Sequence, residues 1–168
     1  MQIFKTTTGL KGFLEDCRDN NKKISLVPTM GGLHDGHLKL VDRARAISDI
    51  VVVSIFVNPT QFARGEDFED YPNTLSSDQK KLESKGVDVL FLPSKGEIYP
   101  DGLHNDYKVG EIGQILCGAF RPSHFDGVAQ VVQRFFDIVK PDYSVFGEKD
   151  YQQLLIIKSL VDKLKLDI

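Results

Sequence analysis

The sequence has no tryptophan, only two cysteines and no long apolar segment. Cys17 and Cys117 lack the paired spacing of a disulfide framework or a zinc-binding motif, which predicts free thiols. No apolar run approaches the roughly 20 residues that a membrane-spanning helix requires, and the N-terminal segment has no apolar signal-peptide core. We therefore expect a cytoplasmic protein that has no membrane partner.

Neither sign of charge is in large excess. The chain has 21 Lys and Arg residues against 24 Asp and Glu residues, and its net charge is −3. Proteins that bind nucleic acid usually carry a basic excess, so no nucleic-acid partner is expected. A length of 168 residues, of which 41% are hydrophobic, is typical of one domain with a substantial core.

Short apolar segments alternate with amphipathic ones along most of the chain. The patterns predict strands at 24–27, 50–57, 87–92 and 143–146, a short strand at 107–109, and helices at 36–48, 73–85, 125–139 and 150–164. Segment 50–57 is nearly continuous in β-branched residues, as in a central parallel strand that is covered on both faces. The alternation predicts an α/β fold with a doubly wound parallel sheet, in which ligands bind at the carboxyl ends of the strands.

Segment 28–37, PTMGGLHDGH, is the most informative part of the chain. It follows the first predicted strand and leads into the first predicted helix. A strand that turns through glycines into a helix offers backbone N–H groups and the positive end of the helix dipole to an anion. His34 and His37 are three residues apart and share one face of the first helical turn. This combination favours phosphate chemistry.

The loops after two other strands also carry polar residues. They are Asn58 and Gln61 after the second strand, and Gly147, Lys149, Asp150 and Gln153 around the start of the last helix. A lysine beside a helix start suits a phosphate oxygen. The sequence contains neither the Walker phosphate loop nor the dinucleotide-binding glycine fingerprint. The residues alone therefore indicate an α/β domain that handles phosphate.

Each of these residues also has a plainer interpretation. His34 and His37 could hold a metal ion, although the sequence offers no obvious third ligand near them. Asn58 could simply close a turn before proline, and Asp150 could cap the last helix. The acidic run 66–70 is most simply a solvated surface.

Five segments together resemble one family. PTMGGLHDGH, SIFVNPTQF, DYPNT, CGAFRPSHFDGV and FGEKDYQQL match, in order and spacing, the motifs of the pantoate–β-alanine ligases. That family belongs to a nucleotidyltransferase superfamily with a His-x-Gly-His signature, which here begins at His34 and ends at His37. The resemblance covers nearly the whole chain. It implies a Rossmann-like domain over 1–168 that binds a nucleotide and pantoate.

The resemblance implies an ATP-dependent ligation in two steps. The pantoate carboxylate attacks the α-phosphorus of ATP to give pantoyl adenylate and pyrophosphate, and β-alanine then attacks the adenylate to give pantothenate and AMP. No nucleophile from the protein is needed, so the protein positions substrates and stabilises charge. The implied partners are the small molecules ATP, pantoate and β-alanine with Mg²⁺ as cofactor, and the implied assembly is a homodimer.

The resemblance also implies roles for individual residues in the nucleotide site. The residues implied in catalysis are His37, His34 and Lys149. Those implied to contact ATP are Met30, His34, His37, Gly147, Lys149 and Asp150.

Three further sets of residues take roles from the resemblance. Gln61, Gln153 and Met30 would contact pantoate. Asp78 matches a position that is associated with Mg²⁺, although Ser77 stands where relatives often carry a second acid. The residues implied on the side of the second substrate are Arg121 and His124.

Members of the family continue into a second domain that closes over ATP with a Ser-Ser-Arg motif, which this sequence does not contain. Because that domain excludes water and completes the triphosphate contacts, we expect little turnover from residues 1–168 alone. Two other interpretations stay open. One is a non-catalytic nucleotide-binding or dimerisation module, and the other is a different nucleotidyltransferase of the same superfamily.

Overall fold

A parallel sheet forms the centre of the computed structural model, which describes residues 1–62, 74–103 and 107–168. Its strands are β1 (Gln2–Phe4), β2 (Ile24–Thr29), β3 (Ile50–Ile55), β4 (Val89–Phe91) and β5 (Tyr143–Ser144). They lie in the spatial order β1-β4-β3-β2-β5, and every recorded pairing is parallel. The predicted parallel α/β sheet is confirmed.

Helices follow most of the strands. They are α1 (Thr7–Asp19), α2 (Asp35–Ile47), α3 (Leu75–Ser84), α4 (Lys95–Ile98), α5 (Cys117–Phe120), α6 (His124–Val139) and α7 (Tyr151–Leu164). Single 3₁₀ turns occur at Pro59–Gln61, Glu111–Gly113 and Glu148–Asp150. Over the three described ranges, no helix has the length and apolar character needed to cross a membrane.

Two apolar clusters cover the two faces of the sheet. Alternate residues of β3 contribute to different clusters: Val51 and Val53 to the one that α2 and α3 complete, and Val52 to the one that includes α1, α6 and α7. This explains why β3 is apolar without alternation, since both of its faces are covered. Helices on both faces make the sheet doubly wound, as predicted.

The structure corrects several element predictions. No strand forms at 107–109, where the Val109 N–H instead donates to Asp126 Oδ1 of α6 at 2.9 Å. Helix α3 begins at Leu75 after Thr74. Asn73, where the sequence predicts the start of this helix, and the acidic run 66–70 lie outside the described residues. Two strands end earlier than the apolar pattern suggests, β3 at Ile55 and β5 at Ser144, whereas β2 continues past the predicted 24–27 to Thr29. The pattern did not indicate β1, a three-residue strand at the sheet edge.

Helix α6 approaches the turn Pro59–Gln61 very closely at Gly127. A Cβ atom on Gly127 would lie 2.3 Å from the Thr60 carbonyl oxygen and 2.7 Å from the Gln61 nitrogen. The Gly127 carbonyl also accepts a hydrogen bond of 3.1 Å from Asn58 Nδ2. Because only glycine permits this backbone contact, Gly127 sets how α6 and the turn pack.

Gly127→Ala is expected to lower the free energy of unfolding by about 1–3 kcal/mol, because the new methyl group overlaps backbone atoms that cannot rotate away. The matched control is Gly12→Ala in α1, where a Cβ meets nothing within 4 Å. Alanine is favoured over glycine inside a helix by about 0.5–1 kcal/mol, so the control should be neutral or stabilising. Urea unfolding followed by circular dichroism measures both. Equal stability of the two variants would mean that the turn moves aside without cost.

Candidate functional site

A cavity of about 180 Å³ lies where β2 and β3 end. Its polar lining comes from His37, Asn58, Gln61, Asp150 and Gln153, with Met30 beside them. Its apolar wall consists of Phe56, Val128, Val131, Val132, Phe135 and Phe146. The carboxyl ends of parallel strands are the usual position for a ligand in this kind of fold.

The turn between β2 and α2 depends on two glycines and one buried carboxylate. Gly31 and Gly32 have φ angles of +87° and +64°, which residues with side chains rarely adopt. Asp78 of α3 accepts hydrogen bonds of 2.9 Å from the N–H groups of Gly32 and Leu33, one on each carboxylate oxygen. The Thr74 hydroxyl donates to the same carboxylate at 2.9 Å. Asp78 is 1% exposed, and its carboxylate holds the backbone of the turn in place.

Lys81 strengthens this contact from the next turn of α3. Its ammonium group donates a hydrogen bond to the Leu33 carbonyl and lies 3.9 Å from Asp78 Oδ1. The N–H and the C=O of Leu33 are therefore both held by α3. This fixes the backbone directly before α2.

His34 and His37 cap the start of α2 together. His34 Nδ1 accepts from the Gly36 N–H at 3.1 Å, and His37 Nδ1 accepts from the His34 N–H at 3.4 Å. The two ring centroids are 4.2 Å apart. A ring nitrogen that accepts a hydrogen bond carries no proton, so these bonds assign the proton of each neutral ring to Nε2. Both histidines therefore direct their donor nitrogen away from the backbone that they cap.

His37 is half-buried and borders the cavity. Burial lowers the pKa of His37 from its ordinary value, and the neighbouring His34 imidazole lowers it further. The ring is therefore neutral near pH 7. An anion beside this ring would favour the charged form and raise the pKa again.

Asn58 is a buried structural residue, 1% exposed. Its Oδ1 accepts hydrogen bonds from the hydroxyl groups of Tyr99 at 2.8 Å and Thr60 at 3.1 Å. Its Nδ2 donates to Gln61 Oε1 at 3.2 Å and to the Gly127 carbonyl at 3.1 Å. These contacts favour the plainer interpretation of Asn58, as the residue that closes the turn.

Gln61 connects that turn to the segment after β2. Its Nε2 donates to Met30 Sδ at 3.0 Å, and a thioether sulfur is a weak acceptor. The amide can therefore exchange this partner for a stronger one at little cost. Gln153, on the first turn of α7, borders the same cavity.

The structure brings part of the predicted ATP set to the cavity. Met30, His37 and Asp150 line it, while His34, Gly147 and Lys149 are not part of the lining. Lys149 is exposed, and its ammonium group is among the charges that lower the pKa of His37. The predicted cap of α7 is not formed, because Asp150 makes no side-chain hydrogen bond to the helix start.

Neither metal hypothesis finds a donor set in the residues that the structure describes. Among them, no three or more His, Cys, Asp or Glu side chains converge on one point, so His34 and His37 have no third ligand there. A magnesium ligand needs an accessible oxygen. Asp78 is buried with both oxygens bonded to backbone N–H groups, and Ser77 supplies no second carboxylate. Asp78 therefore does not fit the role of a direct Mg²⁺ ligand.

The apolar wall is the part of the site that sequence reasoning misses. Val128, Val131, Val132 and Phe135 belong to the apolar side of the predicted helix 125–139, and that pattern predicts only that they are buried. A helical apolar pattern shows which side of a helix is covered but not whether a cavity interrupts the packing there. Tyr99, which holds Asn58, stands outside any recognised motif.

The doubly wound sheet and a helix start carrying two histidines beside a small cavity are features of nucleotidyltransferase-type α/β domains. The family model described as pantoate-beta-alanine ligase matches residues 2–168, and the chain belongs to that family. The resemblance seen in the motifs is thereby confirmed.

The chain is similar to pantothenate synthetases from several bacteria. It is 52% identical to the one from Aquifex aeolicus over 166 residues, which cover 99% of this chain and 59% of that protein. It is 50% identical to the one from Vibrio parahaemolyticus over 170 residues, which cover 100% of this chain and 56% of that protein. The chain therefore spans somewhat more than half the length of these relatives.

The fold is similar to solved structures of the same family. The crystal structure of pantoate-beta-alanine ligase from Francisella tularensis, complexed with beta-gamma ATP and beta-alanine, matches with a TM-score of 0.94 at 44% identity. That match covers 99% of this chain and 64% of the other. Pantothenate synthetase from Thermus thermophilus matches with a TM-score of 0.91 at 44% identity, over 99% of this chain and 59% of the other.

Asp78→Ala is expected to lower the free energy of unfolding by about 2–4 kcal/mol. The reason is that the N–H groups of Gly32 and Leu33 lose the buried carboxylate that accepts their hydrogen bonds. The matched control is Asp42→Ala. Asp42 is largely exposed and pairs with Lys85 at 2.7 Å, a kind of contact that contributes about 0.2–1 kcal/mol. Urea unfolding of both variants in buffer with EDTA measures the difference. If Asp78 served only as a metal ligand, its variant would match the wild type under these conditions.

Proposed function

We propose that this chain carries the pantoate site and part of the ATP site of a pantoate–β-alanine ligase. The reaction joins pantoate to β-alanine and converts ATP to AMP and pyrophosphate. The observation that supports it most is the two-sided cavity beside the start of α2. Its apolar wall and its amide side chains meet next to a helix N-terminus that carries two imidazoles.

The cavity is complementary to pantoate in size and chemistry. Pantoate is a small hydroxy acid with two methyl groups on one carbon, and the valine and phenylalanine wall suits those methyl groups. The Gln61 amide nitrogen can donate a hydrogen bond, and the Gln153 amide can donate and accept, which suits its hydroxyl groups. A volume of about 180 Å³ is well below the about 300–1,000 Å³ typical of sites for larger ligands. The cavity therefore suits a small acid such as pantoate.

The start of α2 supports the assignment of the phosphates. The positive end of the helix dipole favours an anion, and His34 and His37 each have the neutral-ring proton on Nε2. Lys149 supplies a mobile positive charge at the edge of the site. Because His37 is neutral in the free protein, a triphosphate that arrives there can raise its pKa and gain a charged hydrogen bond.

The first step of the reaction requires stabilisation of negative charge around the α-phosphorus of ATP. A carboxylate oxygen of pantoate forms a bond to the α-phosphorus while the bond from that phosphorus to pyrophosphate breaks. Negative charge increases on the phosphoryl oxygens in the transition state, and fixed donors such as the histidine N–H groups stabilise it. The β-alanine amine then attacks the acyl carbon, loses a proton, and AMP leaves. The Francisella tularensis structure with beta-gamma ATP and beta-alanine supports these substrates.

Three further features belong to the same proposal and rest on the resemblance alone. They are a magnesium ion, a homodimer and a cytoplasmic location. With Asp78 committed to the backbone, a magnesium ion would be held chiefly by the nucleotide phosphates and water, as is common for this ion.

The reaction is tested by measuring AMP formation in a protein that comprises this chain and the continuation present in its relatives. AMP should form from ATP only when pantoate and β-alanine are both present. AMP formation that ignores pantoate would instead indicate another nucleotidyltransferase. Residues 1–168 alone should turn over far more slowly, since the implied second domain acts mainly in the transition state.

The pantoate site is tested separately by calorimetric titration of the 168-residue chain. Gln61→Ala and Gln153→Ala should each weaken pantoate binding about tenfold, the scale expected for one good hydrogen bond to a polar ligand. Gln152→Ala is the matched control. The Gln152 amide donates to the carbonyls of Ile112 and Ile115 at 2.7 and 2.8 Å, outside the cavity.

Pantoate affinity of the Gln152→Ala variant should therefore equal that of the wild type, once a circular dichroism spectrum shows that it is folded. If all three variants bind pantoate equally well, the cavity is not the pantoate site.

A further inference from the structure

The first residues of α6 contact the backbone of the 3₁₀ turn that contains Gln61. His124, the first residue of α6, places its Nδ1 atom 2.8 Å from the Gln61 carbonyl oxygen. Gly127, three residues later, contacts the same turn through its backbone. His124 itself is not among the residues that line the cavity, whereas Gln61, which it contacts, is one of them.

Two hydrogen-bond contacts of His124 assign its proton. A carbonyl oxygen only accepts hydrogen bonds, so Nδ1 must carry the proton that it donates to Gln61. Arg121 Nη1 lies 3.1 Å from His124 Nε2, and because a guanidinium only donates, Nε2 must be the acceptor. One neutral tautomer satisfies both contacts. Arg121 therefore favours the form of His124 that can hold Gln61.

Gln61 is thus fixed at both of its ends. Its backbone carbonyl is bound by His124, and its side-chain Oε1 accepts from Asn58 Nδ2. The His124 ring is itself kept in place by an edge contact with Phe125, at 4.9 Å between centroids. Only the weak contact from Gln61 Nε2 to the Met30 sulfur is left for exchange with a ligand. A site built in this way presents one amide in one orientation.

We propose that His124 is a positioning residue of the pantoate site. Its Nδ1–H holds the Gln61 carbonyl and thereby sets where the Gln61 amide lies in the cavity, and Arg121 keeps His124 in the tautomer that this requires. The proposal rests on the proposed function, because pantoate is the ligand that Gln61 is taken to bind.

Two substitutions at one position separate positioning from packing. In His124→Asn the amide nitrogen can occupy the place of Nδ1 and donate to Gln61. In His124→Gln the amide reaches the place of Nε2, so Arg121 keeps a partner while the Gln61 carbonyl loses its donor. Both variants are also made in a Gln61→Ala background. Pantoate affinity of the 168-residue chain is measured by calorimetry, and the free energy of unfolding is measured in urea.

We expect His124→Gln to weaken pantoate binding about tenfold and His124→Asn by no more than about threefold, as for residues coupled through a direct contact. In the Gln61→Ala background the two variants should bind pantoate equally. Nitrogen NMR of the wild-type imidazole should show a protonated Nδ1 and an unprotonated Nε2.

Three results would overturn the proposal. They are equal affinities of His124→Gln and His124→Asn with Gln61 present, an undiminished difference between them without it, and an imidazole protonated on Nε2. If the wild type fails to bind pantoate, both the proposed function and the positioning role are wrong. Equal affinities in variants that do bind pantoate remove the positioning role alone.

Discussion

The chain enters α2 through two residues with positive φ, and a buried carboxylate from α3 holds that turn. Asp78 gives one oxygen to the Gly32 N–H and the other to the Leu33 N–H. Without this contact the backbone before His34 would have a wide choice of conformations, because glycine restricts the chain least. The reciprocal cap of His34 and His37 also requires a fixed helix start. The geometry of the backbone before α2 therefore depends on a buried carboxylate that is not part of the cavity lining.

The loop on the other side of the cavity is also held in place by a helix. There α6 holds the turn Pro59–Gln61 through the close contact at Gly127 and the hydrogen bond from His124. Two different helices thus fix two loops that follow neighbouring strands, and the cavity lies between the loops. Since β2 and β3 are paired from end to end, the sheet sets the spacing of the loops and the helices set their shape.

Sequence patterns predict the parts of this arrangement that are local. The apolar runs predict β2, β3, α2 and α6, and the glycines before His34 predict a turn into a helix. Contacts between segments distant in sequence leave no such signal. Nothing in the pattern distinguishes Asp78 from a solvated helix residue or a metal ligand, and only the fold brings its carboxylate to the glycine turn. Segment 107–109 shows the opposite error, since its apolar residues suggest a strand but pack beside α6.

The hydrogen bonds of the amide side chains distinguish residues that stabilise the fold from residues that are available to bind a ligand. The side-chain oxygen and nitrogen of Asn58 both form hydrogen bonds with strong protein partners. The amide of Gln152 likewise accepts from one backbone N–H group and donates to two backbone carbonyls. Displacing any of these partners would leave a polar group unpaired, at a cost of about 1–3 kcal/mol if it is buried. Gln61 instead has its Nε2 on a thioether sulfur, which is the easiest partner to replace.

The same comparison explains how two neighbouring amides can differ in role. Asn58 stabilises the turn because both its oxygen and its nitrogen have protein partners. The amide nitrogen of Gln61, in contrast, has only a weak acceptor. The motif NPTQ carries both residues, and only their hydrogen-bond partners in the folded chain show which amide is available to a ligand.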